Sequence, residues 1–302
     1  SDALAADVVI DIPVLKTHAQ AVTSLAFKNL LGLTHNESRK KIHSADLIKD
    51  LNYNLAHLPN KLKNVLTIID GIYTLERGPA IDGKAHRNDI LVASTDMLSA
   101  DLVGTKLLGI DPTEVPLLVQ AAKERNRPMD LSDIKIIGEK LEYLASPHEW
   151  DFIYNKVGDL PLPFQRIGVK GLKYRKYDGS LCTHCSGING LLLTFIKNAW
   201  KGEPFDNIEF LNGKIMEPSQ GMNKTVLLGK CQYEKNKDHP NIKEMIPIKG
   251  CPPTMEEVRE AFSHIGIELD PIMIKNIDKG AKFLMRKYDG KTEFEEKFFQ
   301  VV

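Results

Sequence analysis

Along the first half of the chain, short β-branched runs alternate with longer stretches in which apolar residues recur every three or four positions. Asp7–Ile12, ending at Pro13, reads as a strand, as do Asn64–Ile69, Asp89–Ala93 and Ile134–Ile137. Helical periodicity covers Ala21–Leu31, Ser44–Leu58, Met97–Leu108 and Thr113–Arg125. Ser44, Asp96 and Asp111 stand where helix caps belong, and Pro112 sits where a first turn tolerates a missing N–H. Strands separated by helices imply a mostly parallel sheet covered on both faces.

This rhythm is lost between Tyr143 and Arg175, where Pro147, Pro161, Pro163, Gly158, Gly168 and Gly171 gather. A second α/β passage follows. It has a helix over Ser186–Trp200, strands over Ile208–Leu211 and Thr225–Leu228, and a run Lys243–Ile248 leading to Cys251. Helices over Thr254–Ile265 and Pro271–Lys287 complete it. The expected architecture is α/β, with mostly parallel sheets flanked by helices in two α/β units. An N-terminal domain spans 1–145, a connecting segment 146–175 and a C-terminal domain 176–302.

Composition changes this picture little. The apolar fraction of 42% and charged fraction of 26% are those of an ordinary globular chain, which argues against disorder. Forty basic residues balance forty acidic ones, so the net positive field that drives unspecific nucleic-acid binding is lacking. No apolar run approaches the roughly 20 residues that cross a bilayer, and the start of the chain lacks a basic region followed by an apolar one. The expected compartment is the cytoplasm, with no membrane span and no nucleic-acid partner.

The four cysteines are Cys182, Cys185, Cys231 and Cys251. In a reducing compartment they are metal ligands or catalytic thiols rather than disulfides. Cys231 and Cys251 fall at the ends of expected strands, where α/β proteins build sites, and Cys182-x2-Cys185 precedes a helix. Helix starts near Ser186 and after Pro253 would favour an anionic centre, and Gly187, Gly229 and Gly250 would let backbone approach sulfur. Thioredoxin-type chemistry would leave two cysteines idle, and zinc ribbons use two close pairs where this chain has one. A single 4Fe-4S cluster fits best, with zinc as the alternative.

The segments Leu181-Cys182-Thr183-His184-Cys185-Ser186, Leu228-Gly229-Lys230-Cys231 and Gly250-Cys251-Pro252-Pro253-Thr254 resemble the proximal-cluster domain of hydrogenase small subunits. The related subunit of NADH:quinone oxidoreductase carries the same motifs. The resemblance implies that all four cysteines ligate one 4Fe-4S cluster.

A second resemblance lies upstream. Ile12-Pro13-Val14-Leu15-Lys16-Thr17-His18, Lys28-Asn29-Leu30-Leu31-Gly32-Leu33, Ile69-Asp70-Gly71-Ile72, Glu76-Arg77-Gly78-Pro79 and Leu91–Asp96 with Ala100-Asp101 are similar to the domain-of-unknown-function 362 family over residues 5–140. That family often carries ferredoxin-like clusters. It usually has further strands before the Lys-Thr-His motif, which implies a chain truncated at its start.

Lys16, His18, Lys28, Asp70, Glu76 and Asp101 follow expected strands or open expected helices, so they could converge on a small anionic ligand or a metal at the sheet edge. Each also has an ordinary structural reading: Asp70-Gly71 as a turn, and Lys28 with Asn29 as a helix end. The basic run Arg39-Lys40-Lys41 reads as a solvated loop. Neither a dinucleotide fingerprint nor a P-loop is present, and flavin use stays open.

Three functions compete on these residues. The first is an iron-sulfur oxidoreductase whose cluster exchanges electrons with a ligand held by the N-terminal domain. The second is an electron carrier serving a redox partner protein. The third is a non-redox protein with a structural cluster or zinc.

Overall fold

The computed structural model describes residues 2–78, 83–151, 154–269, 274 and 285–295. After a short α1 (Asp2–Ala5), Pro13 interrupts what would be one strand into β1 (Val9–Asp11) and β2 (Val14–His18), because it has no N–H for the ladder. A two-residue β3 (Val22–Thr23) folds back antiparallel on β2, pairing Thr17 with Thr23. Three helices follow: α2 (Ala26–Asn29), α3 (Asn36–Ile42) and α4 (Leu51–His57).

The first sheet is built on β4 (Val65–Glu76). β1 and β2 run parallel to it, in registers Val9↔Val65 and Val14↔Asp70, and β5 (Lys84–Ser94) closes an antiparallel hairpin on its other side. β4 continues through Asp70-Gly71, the proposed turn. A Cβ on Gly71 would lie 3.0 Å from the Ile90 carbonyl and 3.1 Å from the Leu15 side chain, so glycine lets three strands close up there.

The core lies on one side of this sheet. Leu15, Ile69 and Ile90 pack with Leu55 of α4, with Leu98, Leu102 and Leu107 of α5 (Met97–Leu107), and with Leu118 and Ala121 of α6 (Pro116–Arg125). The opposite side exposes Ile10, Val14, Ile72 and Leu91, contrary to the expected cover on both faces. The antiparallel hairpin explains this, since its connection carries no crossover helix.

Short helices α7 (Leu141–Leu144) and α8 (Leu162–Arg166) lead to a second sheet of four parallel strands. In spatial order these are β6 (Leu172–Tyr174), β7 (Ile208–Leu211), β8 (Lys224–Leu228) and β9 (Glu244–Ile248). The connections carry α9 (Thr183–Ala199) and α10 (Gly229–Asn236), and α11 (Met255–His264) follows β9. A second core of Tyr174, Phe195, Phe210, Val226, Ile248 and Phe262 fills the space between sheet and helices.

Five of the seven pairings among the named strands are parallel, and helices flank both sheets, as expected for an α/β fold. Further expectations differ: the helix expected over Ala21–Leu31 starts only at Ala26, after β3. Ile134–Ile137 forms no strand: Ile134 packs on the first core while Ile137 is 85% exposed, so no neighbour strand meets it. Ser44 caps no helix, and α4 starts later, where Asp50 accepts from the Tyr53 N–H at 2.9 Å. The segment expected to connect the halves supplies β6 to the second sheet. The helix expected over 271–287 falls mostly outside the described residues. Among the described residues no helix is long and apolar enough to cross a membrane.

Candidate metal centre

The C-terminal ends of all four parallel strands open onto one edge. β6 leads to the loop that carries Cys182, β7 to Gly213 and Lys214, β8 directly to Gly229, and β9 to Cys251. Cys182 stands at the N-cap of α9, and its carbonyl accepts from the N–H of Cys185 and of Ser186, both at 3.0 Å. Cys231 lies in the first turn of α10, whose Lys230 N–H bonds the Gly250 carbonyl at 3.3 Å. Cys251 precedes α11, which opens with a reciprocal cap between Thr254 and Glu257.

All four thiols are free, and together they line one cavity with Ser180, Leu181, Gly213, Lys214, Leu228 and Lys230. Gly229, at φ +85°, presses so close that a Cβ there would sit 2.9 Å from the Cys185 Sγ. Gly250 is held clear for a different reason, since its Cβ would meet Glu257 and Pro252 rather than sulfur, and a Cβ on Gly187 would meet open space. Three helices thus begin near the cavity, and their positive dipole ends favour negative charge there.

The thiols suit a cation in their midst. Burial, reinforced by the other three cysteines, pushes the Cys185 thiol up to about 12. Burial also raises Cys231, with Lys214 opposing. Thiolates gathered this closely call for compensating positive charge. His184 Nδ1 lies 3.5 Å from the Cys251 Sγ, and the Lys40 ammonium is within hydrogen-bonding reach of the same sulfur. Among the described residues no three His, Cys, Asp or Glu side chains are grouped tightly enough to hold one metal ion. The four cysteines line the cavity from three strand-to-helix junctions.

Of the N-terminal candidates, Lys16, His18 and Lys28 come together. Burial lowers His18, and Lys28, Lys16 and His43 lower it further. Lys28, on α2, is pushed down to about 8 by burial and then by Lys16. His18 Nδ1 accepts from the Gln20 N–H at 3.1 Å, which leaves the ring proton on Nε2.

This group adjoins the cysteine loop. Gln20 Nε2 donates to the carbonyls of Asp178 (2.7 Å) and Leu181 (3.0 Å), immediately before Cys182. Buried His43 donates from Nδ1 to the Gly179 carbonyl at 2.8 Å, and Lys214 Nζ donates to the carbonyls of Lys40 (2.6 Å) and His43. Two clusters recognised separately in the sequence are therefore one neighbourhood.

The three acidic candidates lie elsewhere. Asp70 is in the middle of β4, and its carboxylate accepts from the Ile72 N–H at 3.0 Å. Glu76 ends β4 beside His86 Nε2 at 3.4 Å. Asp101 is buried and accepts the Ala26 and Phe27 N–H groups at 2.7 and 3.2 Å, so it holds the start of the helix that carries Lys28. Burial pushes it up to about 8.

Asp11, His43 and Lys214 were not singled out by sequence. Asp11 is 5% exposed, accepts from Asn29 Nδ2 at 2.7 Å and interacts with Lys16. A lone carboxylate within Val8-Val9-Ile10-Asp11-Ile12 was a usable signal. His43 and Lys214 had none, because only the tertiary fold brings them in.

Residues 1–106 match the family model described as domain of unknown function DUF362. A similar protein is the thylakoid-associated protein of Synechocystis sp., 35% identical over 127 residues. That stretch is 41% of this chain and 39% of the relative, so this chain spans well under two thirds of the relative's length. No solved structure matches.

Proposed function

We propose that this chain is an iron-sulfur protein in which Cys182, Cys185, Cys231 and Cys251 hold one 4Fe-4S cluster. Its role is electron transfer or an oxidoreductase reaction on a small anionic ligand at Lys16, His18 and Lys28. The observation that carries the proposal is the meeting of four free thiols from three strand-to-helix junctions at a single cavity. Bound there, the cluster would supply single-electron chemistry.

The chain's own residues do the rest. The first turns of α9, α10 and α11, with Lys40 and Lys214, offset the negative charge of a thiolate-bound centre. Gly229 gives Cys185 room. His43 and Gln20 fix the loop that carries Cys182 to the N-terminal half, and Lys16 and Lys28 present positive charge to an anion. Neutral His18 offers its Nε2 proton. This chemistry belongs in a compartment that keeps thiols reduced, which we take to be the cytoplasm.

Each single cysteine-to-serine variant should lose or convert the visible absorption of the protein purified without oxygen, and dithionite should bleach the unaltered protein reversibly. Four variants with unchanged spectra would refute the ligand assignment. A colourless protein that unfolds on zinc removal would establish the structural-zinc reading instead.

A further inference from the structure

The basic run read from sequence as a solvated loop forms the last turn of α3, against the cysteine cavity. Lys40 reaches Cys251, while Lys230, a lining residue, is exposed at the cavity mouth. Lys249, next to Gly250-Cys251, is exposed and lies over the Tyr233 ring at 4.4 Å, and Lys41 is exposed on α3.

Of the acids nearby, Glu257 is committed to capping α11, Glu256 is exposed in the same first turn, and Glu37 sits 3.9 Å from Lys40. A chain with no net charge thus places Lys40, Lys214 and Lys230 directly at its four thiols. Three of the four sulfurs belong to residues only partly buried, so this rim is also where an electron would leave or enter.

We propose that Lys40, Lys41, Lys230 and Lys249 form the docking surface for an acidic one-electron carrier protein. This rests on the redox reading above and adds the partner's chemistry. Complementary charge steers such encounters, raising association rates by roughly 10 to 1,000-fold at low salt and fading with ionic strength. In the encounter the reduced carrier would give up one electron to the group that the cysteines would hold, with no bond or proton changing. A lipid surface would give no reason for the lysines to ring the thiols.

The full-length protein, purified without oxygen, is titrated with fluorescently labelled plant-type ferredoxin and with flavodoxin, both acidic, and with basic cytochrome c. Both acidic carriers should bind at about 20 mM salt and about tenfold more weakly at about 300 mM. Lys41→Glu with Lys249→Glu should weaken binding about tenfold at low salt without shifting the melting temperature. Salt-insensitive binding, preference for cytochrome c, or lysine-dependent binding to phosphatidylglycerol vesicles alone would overturn the docking surface. A parallel dithionite titration separates the two readings. No redox response with lysine-dependent carrier binding sinks the redox reading and leaves the surface standing, and the reverse pattern does the opposite.

Discussion

His43 shows how one side chain joins the two halves. Its Nδ1 proton is committed to the Gly179 carbonyl, and burial holds its pKa at about 4 against an ordinary 6.5. The folded state therefore binds fewer protons than the unfolded state between those values. Stability is then fully present above about 6.5 and is lost as pH falls toward 4. Denaturant melts at pH 7.5 and about 4.5 should show this loss, and His43→Gln should show less of it. Equal pH dependence in both proteins would remove His43 from the account. Asp101 is a second case: Asp101→Ala leaves two buried N–H groups at the start of α2 unpaired. It should cost about 1–3 kcal/mol of stability by chemical denaturation. Neither role was legible in sequence, where Asp101 was one of several candidates to meet an anionic ligand or a metal and His43 had no motif, because both depend on partners far along the chain.

At the scale of elements, legibility followed apolar pattern and caps. α5 begins where Asp96 predicted, accepting from the Ser99 N–H at 2.7 Å, and β7 falls on the four residues that its pattern marked. α10 escaped notice because its buried positions are Gly229, Gln232 and Asn236, polar or small residues that leave no apolar stripe. Gln232 Nε2 donates to the Asn212 and Gly213 carbonyls, and Asn236 Nδ2 to the Met216 carbonyl, so this helix is fastened by hydrogen bonds to the loop after β7. The strand–helix junction at Gly229 is tightly constrained. Gly229→Ala must adopt a positive φ and crowd Cys185, so it should cost about 1–2 kcal/mol and lower the bound metal content. A variant with unchanged metal and melting temperature would show that the junction tolerates a side chain.

For the whole molecule, the gathering of the four cysteines at one cavity was legible because their spacing and strand-end context lie in the sequence, whereas the closeness of the two halves was not. Gln20, His43 and Lys214 create that closeness with bonds across more than a hundred residues of chain. Gln20→Ala should uncouple the halves, costing about 1–3 kcal/mol and broadening a single urea transition toward two. The central claim, that the four thiols hold one cluster, is tested most directly by iron, sulfide and zinc content with a visible spectrum on anaerobically purified protein. About four irons and four sulfides per chain, with broad absorption near about 400 nm, is the predicted result. About one zinc, no sulfide and no colour would contradict it.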